Sequence, residues 1–294
     1  MEKLIGKHLK ISSRGMRKMI KFKNYDEYIE KTRQALERKL KNLNCFLLPE
    51  KIKQLIDEES LYYLEDENVF EIIVKNDEYY KVSFYSNDNF KFLNFDSDRP
   101  IITDLPYSND MNDKVKKIAT LFEKEGFAVN CKSSRMIKND FNVPNFKYNT
   151  NVTIDSLSDK AIDAVVDIWQ ENFDKIQDLL YSKRELIKYA DNIYVLKDEE
   201  SNVIGAAEIT IESGSGMISK IAIDKSYHGK GYGSFLEMFY INYCKMLGLK
   251  RLLLYTIDDN ISAQNFHKKF GFVEDGKHNC QYIFKNIKEK IKKD

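Results

Sequence analysis

Ile218-Ser219-Lys220-Ile221-Ala222-Ile223-Asp224, followed after two intervening residues by Tyr227-His228-Gly229-Lys230-Gly231-Tyr232-Gly233-Ser234, joins an apolar strand pattern to a glycine loop and then to a helix pattern. Glycines at 229, 231 and 233 let the backbone turn tightly and present successive N–H groups. A helix starting near Gly233 aims the positive end of its dipole at the same point. The stretch therefore predicts an anion cradle that holds a pyrophosphate without any cationic side chain. A phosphate loop of the Walker type needs G-x-x-x-x-G-K-[ST] and a dinucleotide fold needs G-x-G-x-x-G, and the spacing here is neither. Taken alone, the same glycines would also suit a turn that only joins a strand to a helix.

The residues that follow separate the two readings. A helix over about 232 to 247 is ended by Gly248, and Lys250-Arg251-Leu252-Leu253-Leu254-Tyr255-Thr256-Ile257 reads as a short apolar strand. Asp258-Asp259-Asn260 then opens a second helix carrying Ser262-Ala263-Gln264-Asn265-Phe266-His267-Lys268-Lys269-Phe270, closed by Gly271-Phe272. His228-x-x-Gly231-x-Gly233 resembles the acyl-CoA loop (Q/R-x-x-G-x-G/A) of the GCN5-related N-acetyltransferase (GNAT) family. The segment from Asn260 to Phe272 resembles that family's N-x-x-A-x-x-x-Y-x-K-x-G-F signature. Two positions depart: His228 stands where the family has Arg or Gln, and His267 where it has Tyr. The resemblance covers just under half of the chain.

The resemblance implies an α/β protein of the GNAT acyl-CoA N-acyltransferase fold, an α+β mixed sheet, with acetyl-CoA as acyl donor and no metal. Its acceptor would be a primary amine on a small molecule or peptide, attacking the thioester directly. By the same resemblance the strand around Ile221, Ala222 and Ile223 parts from its neighbour beyond a bulge and bonds the pantetheine through its backbone. The N–H at Ile223 would polarise the thioester carbonyl. His228, Gly229, Lys230, Gly231, Tyr232, Gly233 and Ser234 would wrap the pyrophosphate. Asn260 would bond the pantetheine amide or simply cap its helix. Three roles stay open for His267: acid to the departing sulfur, cofactor contact, or bystander. An imidazolium, with an ordinary pKa near 6.5, is a stronger acid than a tyrosine hydroxyl near 10.

The base that frees the amine is less marked in the sequence. Glu208 and Glu212 lie at even spacing on the strand before the central one and so share a face. Glu208 is the candidate base or anchor for a cationic substrate, against the alternative of an exposed carboxylate. The central strand from Met217 to Ile223 carries no carboxylate, a departure from members with a Glu there. Ser219 and Tyr255 are further polar candidates. The segment of about 156 to 190, which shapes the family's acceptor site, holds Trp169, Phe173, Tyr181 and Tyr189, which helical spacing equally assigns to a core.

At 294 residues the chain is long enough for two domains, and 47 Lys plus Arg against 46 Asp plus Glu leave a net charge of +1. Neither nucleic acid nor an anionic membrane is an expected partner, and a cytoplasmic protein is expected because the sequence shows no secretory leader or transmembrane run. Cys45, Cys131, Cys244 and Cys280 are dispersed, without metal-ligand or disulfide spacing, and a covalent route through Cys244 or Cys280 lacks a matched His nearby. All four prolines, at 49, 100, 106 and 144, fall in the first half. The expected boundary gives a domain over 1–148 and a GNAT domain over 149–294.

The first half reads as helices over 25 to 42 and 50 to 59, a hairpin from Phe70 to Tyr85, a strand near 100 to 104, a helix over 112 to 125 and a strand after Gly126. The second reads as strand 151 to 155, helix 159 to 173, helix 183 to 189, strands 193 to 197, 203 to 212 and 216 to 224, helix, strand, helix, and two final strands near 272 to 285. The orders are similar, and Lys124-Glu125-Gly126-Phe127 echoes Lys269-Phe270-Gly271-Phe272. The first half, whose only glycines are Gly6, Gly15 and Gly126, is expected to be a degenerate tandem copy without a cofactor loop, or else a coincidence of common punctuation. A catalytically inactive acyl-CoA sensor is the alternative function. The acceptor, the acyl-chain preference and a homodimer all stay open.

Overall fold

The computed structural model describes residues 16–144 and 151–284. The chain divides into two compact units, one of residues 1–75 and 82–98, the other of residues 76–81 and 99–294. No helix among the described residues is long and apolar enough to cross a membrane.

The first unit contains β1 (Ile20–Lys21), α1 (Tyr25–Glu37), β2 (Lys41–Asn42), α2 (Pro49–Asp57), β3 (Leu61–Glu65), β4 (Val69–Lys75) and most of β5 (Tyr80–Ser86). The Asn24 side chain accepts the Glu27 N–H at 2.8 Å to start α1, and Pro49 starts α2, where its missing N–H costs nothing. The helix expected to reach residue 42 stops at Glu37, because Lys39 adopts φ +61° and the chain turns into β2. β3 was not foreseen. Its sequence Leu-Tyr-Tyr-Leu-Glu alternates poorly, since Leu61, Tyr63 and Leu64 are all buried.

The second unit contains β6 (Ile101–Ser108), α3 (Asp113–Lys124), β7 (Ala128–Lys138), β8 (Thr153–Ser156), α4 (Ile162–Asn172), α5 (Lys183–Lys188), β9 (Ile193–Lys197), β10 (Val203–Glu212), β11 (Ser215–Ile223), α6 (Tyr232–Met246), β12 (Arg251–Ile257), α7 (Ile261–Lys269) and β13 (Val273–Phe284). Its strands lie in the order β6-β13-β7-β12-β11-β10-β9-β8. One face of this sheet packs α4 and α5, with Val165, Ile168, Trp169 and Leu186 against Val195, Ala206 and Ala222. Against another apolar layer, α6 brings Leu236, Tyr240, Ile241 and Cys244 onto Ile218, Leu252 and Leu254. This is the mixed α/β sheet that the resemblance implied.

The two final strands expected over 272 to 285 are one strand. β13 continues through a register shift between Glu274 and His278 in its pairing with β7, where Gly276 takes φ +72°. That left-handed glycine sits in a bulge, so the strand bends without ending. The strand β7, from the first half of the sequence, lies between β12 and β13, antiparallel to both, and β13 in turn lies between β7 and β6.

The helix-glycine-aromatic echo is a repeated backbone motif. Gly126 at φ +94° and Gly271 at φ +86° end their helices, and Phe127 and Phe272 send their N–H groups back to Phe122 O and His267 O, at 3.0 and 3.3 Å. Gly126 and Gly271 donate to Glu123 O and Lys268 O, which completes the Schellman pattern in each. Phe122 therefore stands where the second motif has His267.

Candidate functional site

β11 and β12 run parallel over only three residue pairs, Ser215–Arg251, Gly216–Leu252 and Met217–Leu253, and then part. Tyr240 from α6 ties the fork: its hydroxyl donates to Gly216 O at 2.9 Å and accepts the Leu253 N–H at 3.2 Å. Just beyond, β11 is bulged at Ser219, since Lys220 pairs with Glu208 but Ile218 with Ile209. The Asp224 N–H donates to Ile204 O at 2.9 Å, so antiparallel alternation turns the N–H and C=O of Ile223 and Ile221 away from β10, toward the gap. Ala222 by the same alternation faces β10. The Ile223 carbonyl accepts His228 Nε2–H at 2.8 Å and Asn172 Nδ2–H at 3.2 Å. His228 thus fastens the loop to the strand end.

The loop itself is built by local rules. The Asp224 carboxylate accepts the Ser226 N–H at 2.8 Å, and Gly229 and Gly231 follow at φ +76° and +87°. Gly231 is the N-cap of α6, and no side chain caps that helix. The Phe235 N–H is the one that reaches Gly231 O, at 3.1 Å, so the N–H groups of Tyr232, Gly233 and Ser234 precede the first helical acceptor. A Cβ built on Gly229 or Gly231 would meet nothing within 4 Å, so space lies open over the loop, and a side chain is barred by backbone conformation rather than by crowding. These donors and this space fit a pyrophosphate. Lys230 is exposed and rests its Nζ 4.7 Å from the Tyr227 ring. Asn260 caps α7, its Oδ1 accepting the Ala263 N–H at 3.0 Å.

His267 is 5 % exposed and faces α6, with Nδ1 3.1 Å from Oε1 of Glu237. Glu237 is fully buried, and its second oxygen, Oε2, has no hydrogen-bond partner. Nothing in the sequence argument singled it out, although a carboxylate inside Phe235-Leu236-Glu237-Met238-Phe239-Tyr240-Ile241 breaks an apolar run.

Glu208 is neither exposed nor free. Its Oε2 pairs with Lys220 Nζ at 2.9 Å and its Oε1 accepts the Tyr181 hydroxyl at 2.8 Å, the two charged side chains being 2 % and 6 % exposed. The Lys220 ammonium lies 4.4 Å from the Tyr181 ring and 5.5 Å from the Trp169 ring, so two aromatic faces and one carboxylate neutralise it. Burial, then the Glu208 charge, pushes the Tyr181 hydroxyl far above its usual range. Glu212 is exposed and does not join Glu208. Trp169 and Tyr181 serve core and pocket at once, lining a small cavity with Leu180, Ser182 and Lys175. Asp178, also unforeseen, is raised above the usual carboxylate range by burial, with Lys220 near enough to oppose the shift.

Cys244 is buried and its thiol is pushed up to about 12 by burial, which disfavours the thiolate a covalent route needs. The Ser134 hydroxyl donates to Asp258 at 2.7 Å and lies 2.9 Å from His278 Nδ1. With the hydroxyl proton turned to the carboxylate, the imidazole is the donor there, the reverse of an activated nucleophile. Among the described residues no group of three or more His, Cys, Asp or Glu is placed to hold a metal ion.

A comparison with curated protein sequences found no match. The profile of the family described as Acetyltransferase (GNAT) family matches residues 162–272. Among solved structures, the chain is similar to a tandem GNAT protein from the clavulanic acid biosynthesis pathway, at 10 % identity and TM-score 0.58, over 90 % of this chain and 97 % of that one. It is also similar to an acetyltransferase from the GNAT family of Colwellia psychrerythraea, at 11 % identity and TM-score 0.52, over 92 % and 100 %. A GCN5-related N-acetyltransferase from Sphaerobacter thermophilus gives 11 % identity and TM-score 0.51, over 74 % and 76 %. At these identities the structural likeness is one of fold. With the parted strands, the glycine cradle at the start of α6 and the motif on α7 all falling inside or beside the matched segment, residues 162–272 belong to the GNAT family of acetyltransferases.

Proposed function

We propose that residues 149–294 form an N-acetyltransferase domain that moves an acetyl group from acetyl-CoA to a primary amine by direct attack, and that residues 1–148 are a second copy of the fold that has no cofactor loop. The observation that carries the reading is the gap between β11 and β12, which opens at Met217 and Leu253 and leads along Ile221 and Ile223 to the unpaired amides of Tyr232, Gly233 and Ser234. In this reading those amides, with Gly229, Lys230 and Gly231, hold the diphosphate of acetyl-CoA, and His228 keeps the loop in shape. The N–H groups of Ile221 and Ile223 bond the pantetheine and steady the negative charge that grows on the carbonyl oxygen. Asn260 orients the start of α7, and His267 supplies the proton that the departing sulfur takes.

Glu208 lies committed to Lys220 and Tyr181, which supports a role for the trio as the floor of the acceptor side rather than for Glu208 as a free base. The unassigned acceptor is a small molecule or peptide. The same pairing of Glu208, together with the burial of His267, favours the second reading, an acyl-CoA sensor without turnover. The two part in one experiment: calorimetry with acetyl-CoA, then CoA release over a panel of primary amines. Binding with amine-dependent CoA release supports the transferase, binding without release over any amine supports the sensor, and no heat at millimolar acetyl-CoA overturns both.

A further inference from the structure

From the buried contact between α6 and α7 we infer that Glu237 is a positioning residue for His267, holding a proton on Nδ1 so that Nε2 is the nitrogen that exchanges protons at the reacting sulfur. The inference rests on the transferase reading above.

Place along the fold comes first. α6 begins at the glycine cradle and reaches, at Tyr240, the fork where β11 and β12 part. Glu237 lies three residues before Tyr240, about 4.5 Å of helix rise, so it sits over the opened part of the gap, between fork and cradle. From α7 the neighbouring Phe266 reaches the cradle end, where a Cβ on Gly233 would lie 3.8 Å from its ring and 3.9 Å from Ile223. His267 is thereby fixed beside the stretch of gap in which the thioester end of the donor would lie.

Chemistry comes second. In this assignment Glu237 is the ionised partner, and since an ionised carboxylate only accepts hydrogen bonds, the 3.1 Å contact carries its hydrogen on Nδ1. The pair is enclosed by aromatic groups, with the Phe266 and Phe272 rings 5.1 and 5.9 Å from the imidazole. Glu237 Oε2 has no protein partner, so the fully buried carboxylate leans on His267 alone. No such arrangement is needed for packing, since at the corresponding place after β6 a buried Phe122 simply packs its ring on Phe127 and Tyr282. Among the described residues Nε2 takes no hydrogen-bond partner, and the His267 side chain keeps 6 % of its surface accessible.

The step balances as follows. The amine nitrogen forms the C–N bond as the C–S bond breaks, and the electron pair of that bond goes to sulfur. The sulfur takes the Nε2 proton of a doubly protonated His267, leaving a neutral ring whose remaining proton stays on Nδ1 against Glu237. The surplus amine proton leaves to solvent, and the ring regains a proton from solvent before the next turnover.

The test compares Glu237→Leu, which removes the acceptor, with Glu237→Gln, which keeps the shape but can offer an amide N–H to Nδ1 and reverse the tautomer. Both are measured in the full chain by far-UV circular dichroism, by kcat and KM for acetyl-CoA, and by nitrogen-15 NMR of the His267 ring. The expected result is a fall in kcat of about tenfold or more, KM for acetyl-CoA within about twofold, and loss of the Nδ1–H form. In a His267→Gln background, Glu237→Gln should change kcat no further. Unchanged kcat in a folded Gln or Leu variant, or a further loss in the His267→Gln background, overturns the assignment of Glu237. Absence of any turnover by the unsubstituted protein overturns instead the transferase reading beneath it.

Discussion

Removing one member of the Lys220–Glu208 pair should cost far more than removing both. In Lys220→Met the Glu208 carboxylate, 2 % exposed, keeps only the Tyr181 hydroxyl. Breaking a buried pair from one side costs about 3–5 kcal/mol, and the retained charge-assisted hydrogen bond, worth about 1.5–3 kcal/mol, places the loss toward the lower end. In Glu208→Leu the ammonium keeps its two aromatic faces, worth about 2 kcal/mol when desolvated, but the Tyr181 hydroxyl is left without its acceptor. In the double variant no lone charge remains, and only the orphaned hydroxyl is left, about 1–3 kcal/mol. The interaction energy of the cycle should therefore be about 3 kcal/mol or more. Urea unfolding at neutral pH reads it directly, because Trp169, the only tryptophan, lies over Lys220 and reports on this core. Losses that add within about 0.5 kcal/mol would refute the claim that the two charges neutralise each other in a sealed site.

Three further outcomes are expected. Gly231→Ala, forced to hold φ +87° at the start of α6, should lose about 1–2 kcal/mol of stability and weaken acetyl-CoA binding measured by calorimetry; full retention of both would show that the loop does not need the left-handed turn. Gly216→Ala places its Cβ 2.4 Å from the Cys244 sulfur and should lower thermal stability, by about 1–3 kcal/mol, with Cys244→Ala restoring most of it. Burial raises the Asp178 carboxyl, so its penalty is absent below the unfolded value near 3.8 and grows as pH rises through the folded one. Asp178→Asn should thus raise the melting temperature at pH 7 and leave it nearly unchanged near pH 3, and a gain equal at both would refute the sign.

The strand, the glycine loop and the two following helices were legible because each is set by local rules: apolar pattern, positive-φ glycine, and an Asn cap. The fork itself was reached only through the family resemblance, since nothing in Met217 or Leu253 announces that pairing stops there. The partners that complete the site are non-local. Lys220 sits in the quoted strand, yet its meaning depends on Glu208, Tyr181 and Trp169, brought together by the β10–β11 register and by the packing of α4. Glu237 was hidden because a helix pattern records which face is apolar, not which helix covers it. The last strand stays whole for a related reason, since the left-handed Gly276 serves a bulge and the pairing with β6 and β7 carries the chain through it.

The interleaving of β7 and β13 sets a timetable for the making of this protein. The hydrogen bond from Asn279 on β13 to Asp104 on β6 links positions 175 residues apart, and that from Ser134 on β7 to Asp258 links positions 124 apart. During synthesis at roughly 5–20 residues per second, β6 and β7 leave the ribosome many seconds before their mates and wait with bare edges. Closure of so long a loop also slows the search for the native pairing. The chain should therefore refold slowly and lean on chaperones while it grows. A fragment cut at 148 would lack the strand that seats its own last one, which makes the whole polypeptide, rather than either half, the unit of inheritance and of handling.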